Sequence, residues 1–137
     1  MTAAWSGSLA AVARLCRDES ANDRHWATVL GEEARKAGPG ERQRYLIAAS
    51  HRHAALAANW EARLPITDDT AHMLDNDPPE PTGDLADYRA AMAARSEKLS
   101  LRRSEIDPIC DPATDGLIAE VVRSMSDLID EAAQVGV

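Results

Sequence analysis

The stretch ERQRYLIAASHRHAALAANWEARL, residues 41–64, decides the fold because its apolar side chains recur at the spacing of an α-helix. One stripe along it comprises Leu46, Ala49, His53, Leu56, Ala57, Trp60 and Leu64. A second stripe comprises Ile47, His51, Ala54, Ala55, Ala58 and Ala62. A helix that is apolar around most of its circumference is usually covered by neighbours on several sides. We therefore expect residues 41–64 to form the central helix, with His51 and His53 both buried.

The composition of the whole chain also favours a helical protein. Its 137 residues are about the size of one domain, and they include 26 Ala but no Phe, 2 Tyr and 3 Trp. Alanine is the best helix former, whereas sheets are built mainly from β-branched and aromatic residues. Short connections favour antiparallel neighbours. The sequence therefore predicts an all-α, single-domain up-down bundle of four to five helices over residues 1–137.

Four further helices are predicted on either side of the central one. Upstream, the apolar spacing indicates helices over residues 8–18 and 21–37, with one continuous helix as the alternative. Downstream, it indicates helices over residues 84–105 and 112–134, the latter with Asp111 as cap and Pro112 in the first turn. The segment 112–134 has one apolar and one charged face, which suits a core helix or a homodimer contact.

Between the third and fourth helices, residues 65–83 are predicted to form a long acidic loop. The stretch from residue 68 to residue 87 holds 7 acidic side chains and no basic one, and three prolines stiffen its middle. Loops of this length tend to be functional or disordered, and this composition favours a solvated loop. We expect partner-binding residues here, namely Asp68, Asp69, Met73, Asp75, Asp77 and Glu80.

Charge and cysteine content narrow the class of protein. The net charge is −8, which argues against a nucleic-acid-binding face. Residues 65–137 carry 6 basic and 16 acidic side chains, so that half of the chain accounts for the negative balance. No apolar run reaches the length of a membrane helix, and the N-terminus lacks the pattern of a secretory signal. Two cysteines without zinc spacing favour a reducing compartment, so we expect a soluble, cytoplasmic protein.

Histidines and one tyrosine are the weak candidates for chemistry: His25, His51, His53 and Tyr45. Residues 49–59 resemble the phospho-accepting helix of histidine phosphotransfer domains, a resemblance that implies a helix-borne imidazole as phosphoryl acceptor. The Lys-Gly of that pattern is Ala54-Ala55 here, which removes the lysine that neutralises the phosphate. His51 and His53 lie about 200° apart on an ideal helix, so both cannot easily ligate one metal ion. No catalytic residue, metal or cofactor is therefore assigned from the sequence.

These patterns predict binding rather than catalysis. We expect an acidic helical module that binds a protein partner of the inhibitor, immunity or adaptor type, or itself through the 112–134 helix. Electrostatic steering would bring the acidic module to the basic surface of its protein partner. The alternative is a small helical-bundle enzyme or ligand-binding protein with a histidine-containing pocket between helices.

Overall fold

The computed structural model describes residues 9–64 and 80–137, and within these the chain forms four α-helices and no strand. Helix α1 spans Leu9–Lys36, α2 spans Glu41–Arg63, α3 spans Tyr88–Ser104 and α4 spans Pro112–Gln134. A 3-10 turn, Leu85–Asp87, leads into α3. The all-α prediction is confirmed. No helix in the described parts of the chain is long and apolar enough to cross a membrane.

Helix α1 is continuous, so the prediction of separate helices over 8–18 and 21–37 is wrong and the alternative is right. Ser20, at the predicted break, donates its hydroxyl to the carbonyl of Arg17 within α1. The apolar pattern is interrupted there because Glu19 and Asp23 occupy buried positions, where both contact Arg95 of α3. Polar residues at these positions therefore mark a buried contact and not a break in the helix.

Side-chain contacts show how the helices pair. Gln43 of α2 contacts the carbonyl of Ala34 in α1, and Ser50 donates to the carbonyl of Ala27. The contact with the higher residue number on α2 has the lower residue number on α1, so the two helices are antiparallel. Helices α3 and α4 also pack together, and α2 packs against α4. Helix α2 thus contacts α1 and α4 and, through His53, Tyr88 at the start of α3, while one of its sides stays exposed.

The hydrophobic core draws side chains from all four helices. Its largest fully buried members are Trp60, Tyr88, Leu30, Leu46, Met92, Leu99, Ile118, Met125 and Leu128. The first predicted stripe of α2 lies in this core. The second does not: Ile47 is 44% exposed, and His51, Ala55, Ala58 and Ala62 are exposed as well. The prediction that His51 is buried is therefore wrong, because no described helix packs on that side of α2.

Two aspartates begin the downstream helices as capping residues. The Asp111 carboxylate accepts the backbone N–H of Thr114, as predicted for a cap followed by proline. Asp84 accepts the backbone N–H of Ala86, and Asp87 accepts the N–H of Asp84 in return. Both arrangements satisfy amides that the first turn of a helix leaves without an intrahelical partner. Helix α4 begins at Pro112 as predicted, whereas α3 begins at Tyr88, four residues after the predicted start, because Asp84 caps the 3-10 turn that precedes it.

Candidate functional site

The interior contains a polar cluster, defined here as Glu19 and Asp23 of α1, His53 of α2, and Tyr88 and Arg95 of α3. Glu19, Asp23, His53 and Tyr88 are 0% exposed and Arg95 is 7% exposed. Burying a charged group is costly unless it is paired and hydrogen-bonded. The cluster therefore requires a complete set of partners.

Arg95 supplies most of those partners. Its Nη1 and Nη2 atoms lie 2.7 and 2.8 Å from Oδ1 and Oδ2 of Asp23, a two-point pairing that matches the planar guanidinium to the carboxylate. Its Nε donates to the carboxylate of Glu19. The other Glu19 oxygen lies 3.3 Å from Nζ of Lys98, which is half-exposed. Two buried carboxylates are thus matched by two cations.

His53 links the ionic part of the cluster to a phenol. Its Nδ1 lies 2.8 Å from Oδ1 of Asp23, and its Nε2 lies 2.8 Å from the hydroxyl of Tyr88. A carboxylate only accepts, so Nδ1 carries the proton and donates. In the neutral ring Nε2 then accepts the hydroxyl proton of Tyr88. This order, carboxylate to imidazole to hydroxyl, leaves each ring nitrogen with one partner.

The surroundings shift the pKa of three cluster members, His53, Asp23 and Tyr88. Burial lowers the pKa of His53 below 6.5, and the opposing hydrogen bond with Asp23 does not cancel it. Burial alone would raise the pKa of Asp23, but Arg95 and His53 lower it overall. Burial raises the pKa of Tyr88, and the neighbouring Tyr45 hydroxyl adds to the effect. The cluster therefore holds an ionised Asp23 beside a neutral His53 and a neutral Tyr88.

An Asp-His-hydroxyl order resembles the arrangement that activates nucleophiles, but access differs here. A catalytic base must come within hydrogen-bond reach of its substrate. His53 and Tyr88 are both completely buried, and both ring nitrogens are occupied. The cluster instead ties three helices together through defined polar contacts.

The structure places the predicted histidines and Tyr45 in different surroundings. His25 is half-buried, with Nε2 2.9 Å from the carbonyl of Gly83 ahead of α3. The buried Tyr45 donates its hydroxyl to the carbonyl of Leu128 at 2.8 Å, joining α2 to α4. His51 is exposed on the outer side of α2, and His53 lies in the polar cluster. The three histidines thus lie in three different surroundings.

His51 does line an open depression of about 400 Å³ between α1 and α2. Its other lining residues are Gly31, Ala34, Arg35, Gln43, Ile47 and Ser50. Gln43 and Ser50 are engaged with backbone carbonyls of α1, whereas Arg35 and His51 are exposed. The depression therefore presents an apolar floor beside two groups that can bind an anion.

Of the predicted partner-binding residues, Asp68, Asp69, Met73, Asp75 and Asp77 lie outside the described residues, as does most of the predicted acidic loop. Glu80 is exposed. The exposed side of α4 carries a further acidic group of residues: Glu120, Asp127, Asp130 and Glu131. None of these four forms an ion pair with a described cation.

Three cluster members, Glu19, Asp23 and Arg95, were missed by the sequence interpretation. The signal was there: Cys16, Glu19, Asp23 and Trp26 follow the three-and-four spacing of one helix face. Arg95 falls between Met92 and Leu99 on the corresponding face of α3. A charged residue at a position whose neighbours are buried implies a buried partner of opposite charge.

Neither metal-ligating side chains nor similarity to known proteins assigns a function to the described residues. Within residues 9–64 and 80–137, no three His, Cys, Asp or Glu side chains come together in a way that could hold a metal ion. The chain matches no protein-family model, no curated protein and no solved structure.

Proposed function

We propose that this chain is an acidic helical interaction module that binds a protein partner with a basic surface, of the inhibitor, immunity or adaptor type. The observation that carries the proposal is the exposed acidic surface. Glu80 and the four acidic residues of α4 are exposed and form no ion pair with a described cation. Such a surface steers a basic partner and accelerates association.

The proposal includes the architecture on which this surface is displayed. It takes residues 1–137 as one domain, an up-down bundle whose acidic segment 65–83 joins the second and third helices. It also places the protein in the cytoplasm, where the free thiols of buried Cys16 and exposed Cys110 would stay reduced. The buried polar cluster has a structural role in this proposal.

The test is capture of partners from an extract of the native cell at low ionic strength. Reversal of Asp75, Asp77 and Glu80 to Lys is expected to abolish capture, because these residues form the acidic segment. The matched control reverses Glu32, Glu97 and Glu105, which are exposed elsewhere. Captured proteins should be basic and released by added salt. If both triple variants capture the same amount of partner, the acidic segment is not the surface that binds it.

The depression beside His51 supports a second candidate, a ligand-binding protein. Arg35 and His51 would bind the carboxylate of a small apolar acid whose body rests on Ile47. Titration with benzoate, followed by NMR, is expected to shift the signals of these three residues and spare His25. Unchanged signals would exclude this class of ligand. Metal analysis and a visible spectrum of the purified protein test the cofactor-binding form of this alternative.

A further inference from the structure

Helices α2 and α4 lie side by side and antiparallel. Three contacts define their relative height: Arg42 with the carbonyl of Gly136, Tyr45 with the carbonyl of Leu128, and Arg63 with the carboxylate of Asp111. From the first contact to the third, the residue number increases along α2 and decreases along α4 and its flanks, as expected for antiparallel helices. Together the two helices present a shared outer side, called here the α2–α4 face.

The α2 half of this face is cationic and built from small side chains. It comprises Arg44, Ala48, Arg52, Ala55, Asn59 and Ala62, all exposed and spaced three or four residues apart. Neither Arg44 nor Arg52 forms an ion pair with a described carboxylate. Alanines at this spacing form a shallow stripe that allows another helix to approach closely.

The α4 half of the face is anionic. It comprises Gly116, Glu120, Asp127, Glu131 and Gln134, which are also exposed and follow helical spacing. Arg123 stands at its outer edge as the one cation among these residues. The two halves therefore carry opposite charge on adjacent, antiparallel helices, and Tyr45 joins them by donating its hydroxyl to the carbonyl of Leu128.

We propose that the α2–α4 face is a homodimer interface, occupied by the same face of a second copy of this chain. The proposal rests on the proposed function, since it names the partner of the acidic side of α4. In this arrangement the acidic segment 65–83 is the part of the chain that binds a different protein. A two-fold axis makes the interface self-complementary, with each half of the face meeting the other half of its mate.

Charge selects the direction of that axis. An axis parallel to the helices lays α2 of one copy over α4 of the other, so cations meet anions. An axis across the helices would lay α2 on α2 and α4 on α4, placing like charges together. Rotation about the parallel axis keeps every residue at its own height along the bundle. Because Tyr45 is level with Leu128, Arg44 arrives level with about position 129 of the partner, one helical half-turn from the partner's Glu131.

The same geometry places Arg52 between two acidic residues of the second copy. Counting along both helices from Tyr45 and Leu128, position 52 is level with about position 121 (one residue forward on α2 for one back on α4). Arg52 is therefore level with the partner's Glu120, whereas the partner's Asp127 lies about 9 Å farther along the helix axis (six residues at ~1.5 Å each). Ala48 lies between Arg44 and Arg52, Ala55 follows Arg52, and both allow close approach of the two backbones.

The experiment is sedimentation equilibrium of the full chain at low ionic strength. The wild-type chain is expected to sediment as a dimer. Variant R44E/R52E has two anionic halves and variant E120R/E131R has two cationic halves, so each is expected to be a monomer. An equimolar mixture of the two is expected to restore the dimer, because each anionic half then meets a cationic one.

Control variants separate a local effect from a change in net charge. Arg14 and Arg89 are exposed arginines outside the face, and R14E/R89E is expected to remain a dimer. Circular dichroism of every variant checks that the helices are intact. A monomeric wild-type chain, a dimer unaffected by R44E/R52E, or a mixture that stays monomeric would each overturn the inference. Partner capture through Asp75, Asp77 and Glu80 is measured separately, so either proposal can fail alone.

Discussion

At the scale of single residues, Arg95 determines whether the polar interior is stable. It is the only cation among the described residues that contacts both buried carboxylates, Glu19 and Asp23. A buried ion pair contributes little net stability compared with apolar packing, yet loss of one partner leaves an uncompensated charge. The cluster is therefore sensitive to removal of Arg95.

Replacing Arg95 by Met is expected to lower the free energy of unfolding by about 3–5 kcal/mol, the usual cost of breaking a buried pair. Urea denaturation measures the change. Arg123, exposed on α4, provides the control, and R123M should change stability by less than about 0.5 kcal/mol. Similar stability for the two variants would show that the buried carboxylates do not depend on Arg95.

His53 makes stability depend on pH near neutrality. Its folded-state pKa lies below the ordinary 6.5, so the unfolded chain takes up the proton first as pH falls. Stability from this group is present above pH 6.5 and is lost as pH falls toward the folded pKa, with a slope of at most about 1.4 kcal/mol per pH unit. Asp23, whose pKa is also lowered, loses its contribution only at more acidic pH, below about 3.8.

The matched pair H53Q and H51Q tests this assignment. H53Q is expected to flatten the dependence of unfolding free energy on pH just below 6.5, because no proton is then taken up at this position on unfolding. H51Q removes an exposed imidazole and should keep the wild-type slope. Urea denaturation across this pH range gives both slopes. A wild-type slope in H53Q would contradict a neutral, buried His53.

At the scale of elements, the ends of the helices are set by capping carboxylates and by one constrained glycine. Gly83 precedes the turn into α3 with φ of +118°, and its carbonyl contacts His25. A Cβ placed there would lie 3.1 Å from the Trp26 ring. Both the backbone conformation and the close approach require glycine at this position.

Substitution G83A is therefore expected to destabilise the fold by about 1–3 kcal/mol, through an unfavourable positive φ and the contact with Trp26. Gly38 is the control, since its φ is not positive and its added Cβ would meet nothing within 4 Å. G38A should be neutral or slightly stabilising. Thermal unfolding of the two variants compares them, and equal melting temperatures would show that the turn tolerates a side chain.

At the scale of the whole molecule, the two cysteines report on global packing. Cys16 is 0% exposed in the core, and burial raises its pKa to about 11. Cys110 is exposed and lies 3.3 Å from the Asp107 carboxylate. A thiol reacts as the thiolate and only where reagent reaches it. The two thiols therefore differ mainly in access.

An aromatic disulfide reagent is expected to modify Cys110 in the folded protein, whereas Cys16 should react only when the core opens. In the variant C110S, the modification rate then measures opening of the core directly. Added urea should accelerate it in step with unfolding followed by circular dichroism. Rapid modification of Cys16 without denaturant would mean that α1 opens independently of the other helices.

The sequence by itself determined the helical class, the bounds of α2 and α4 to within a residue, and the Asp111 cap. These features depend on contacts within a few residues, namely the helical period, proline and a carboxylate beside a first-turn amide. Burial of His53 also followed from its place in the first stripe of α2. Only the tertiary structure decided that α1 continues through Glu19 and Asp23, that His53 pairs with Asp23, and that His51 is exposed. Those outcomes depend on which helices become neighbours. The decisive partner of Asp23 is Arg95, 72 residues away, and no local pattern encodes that distance.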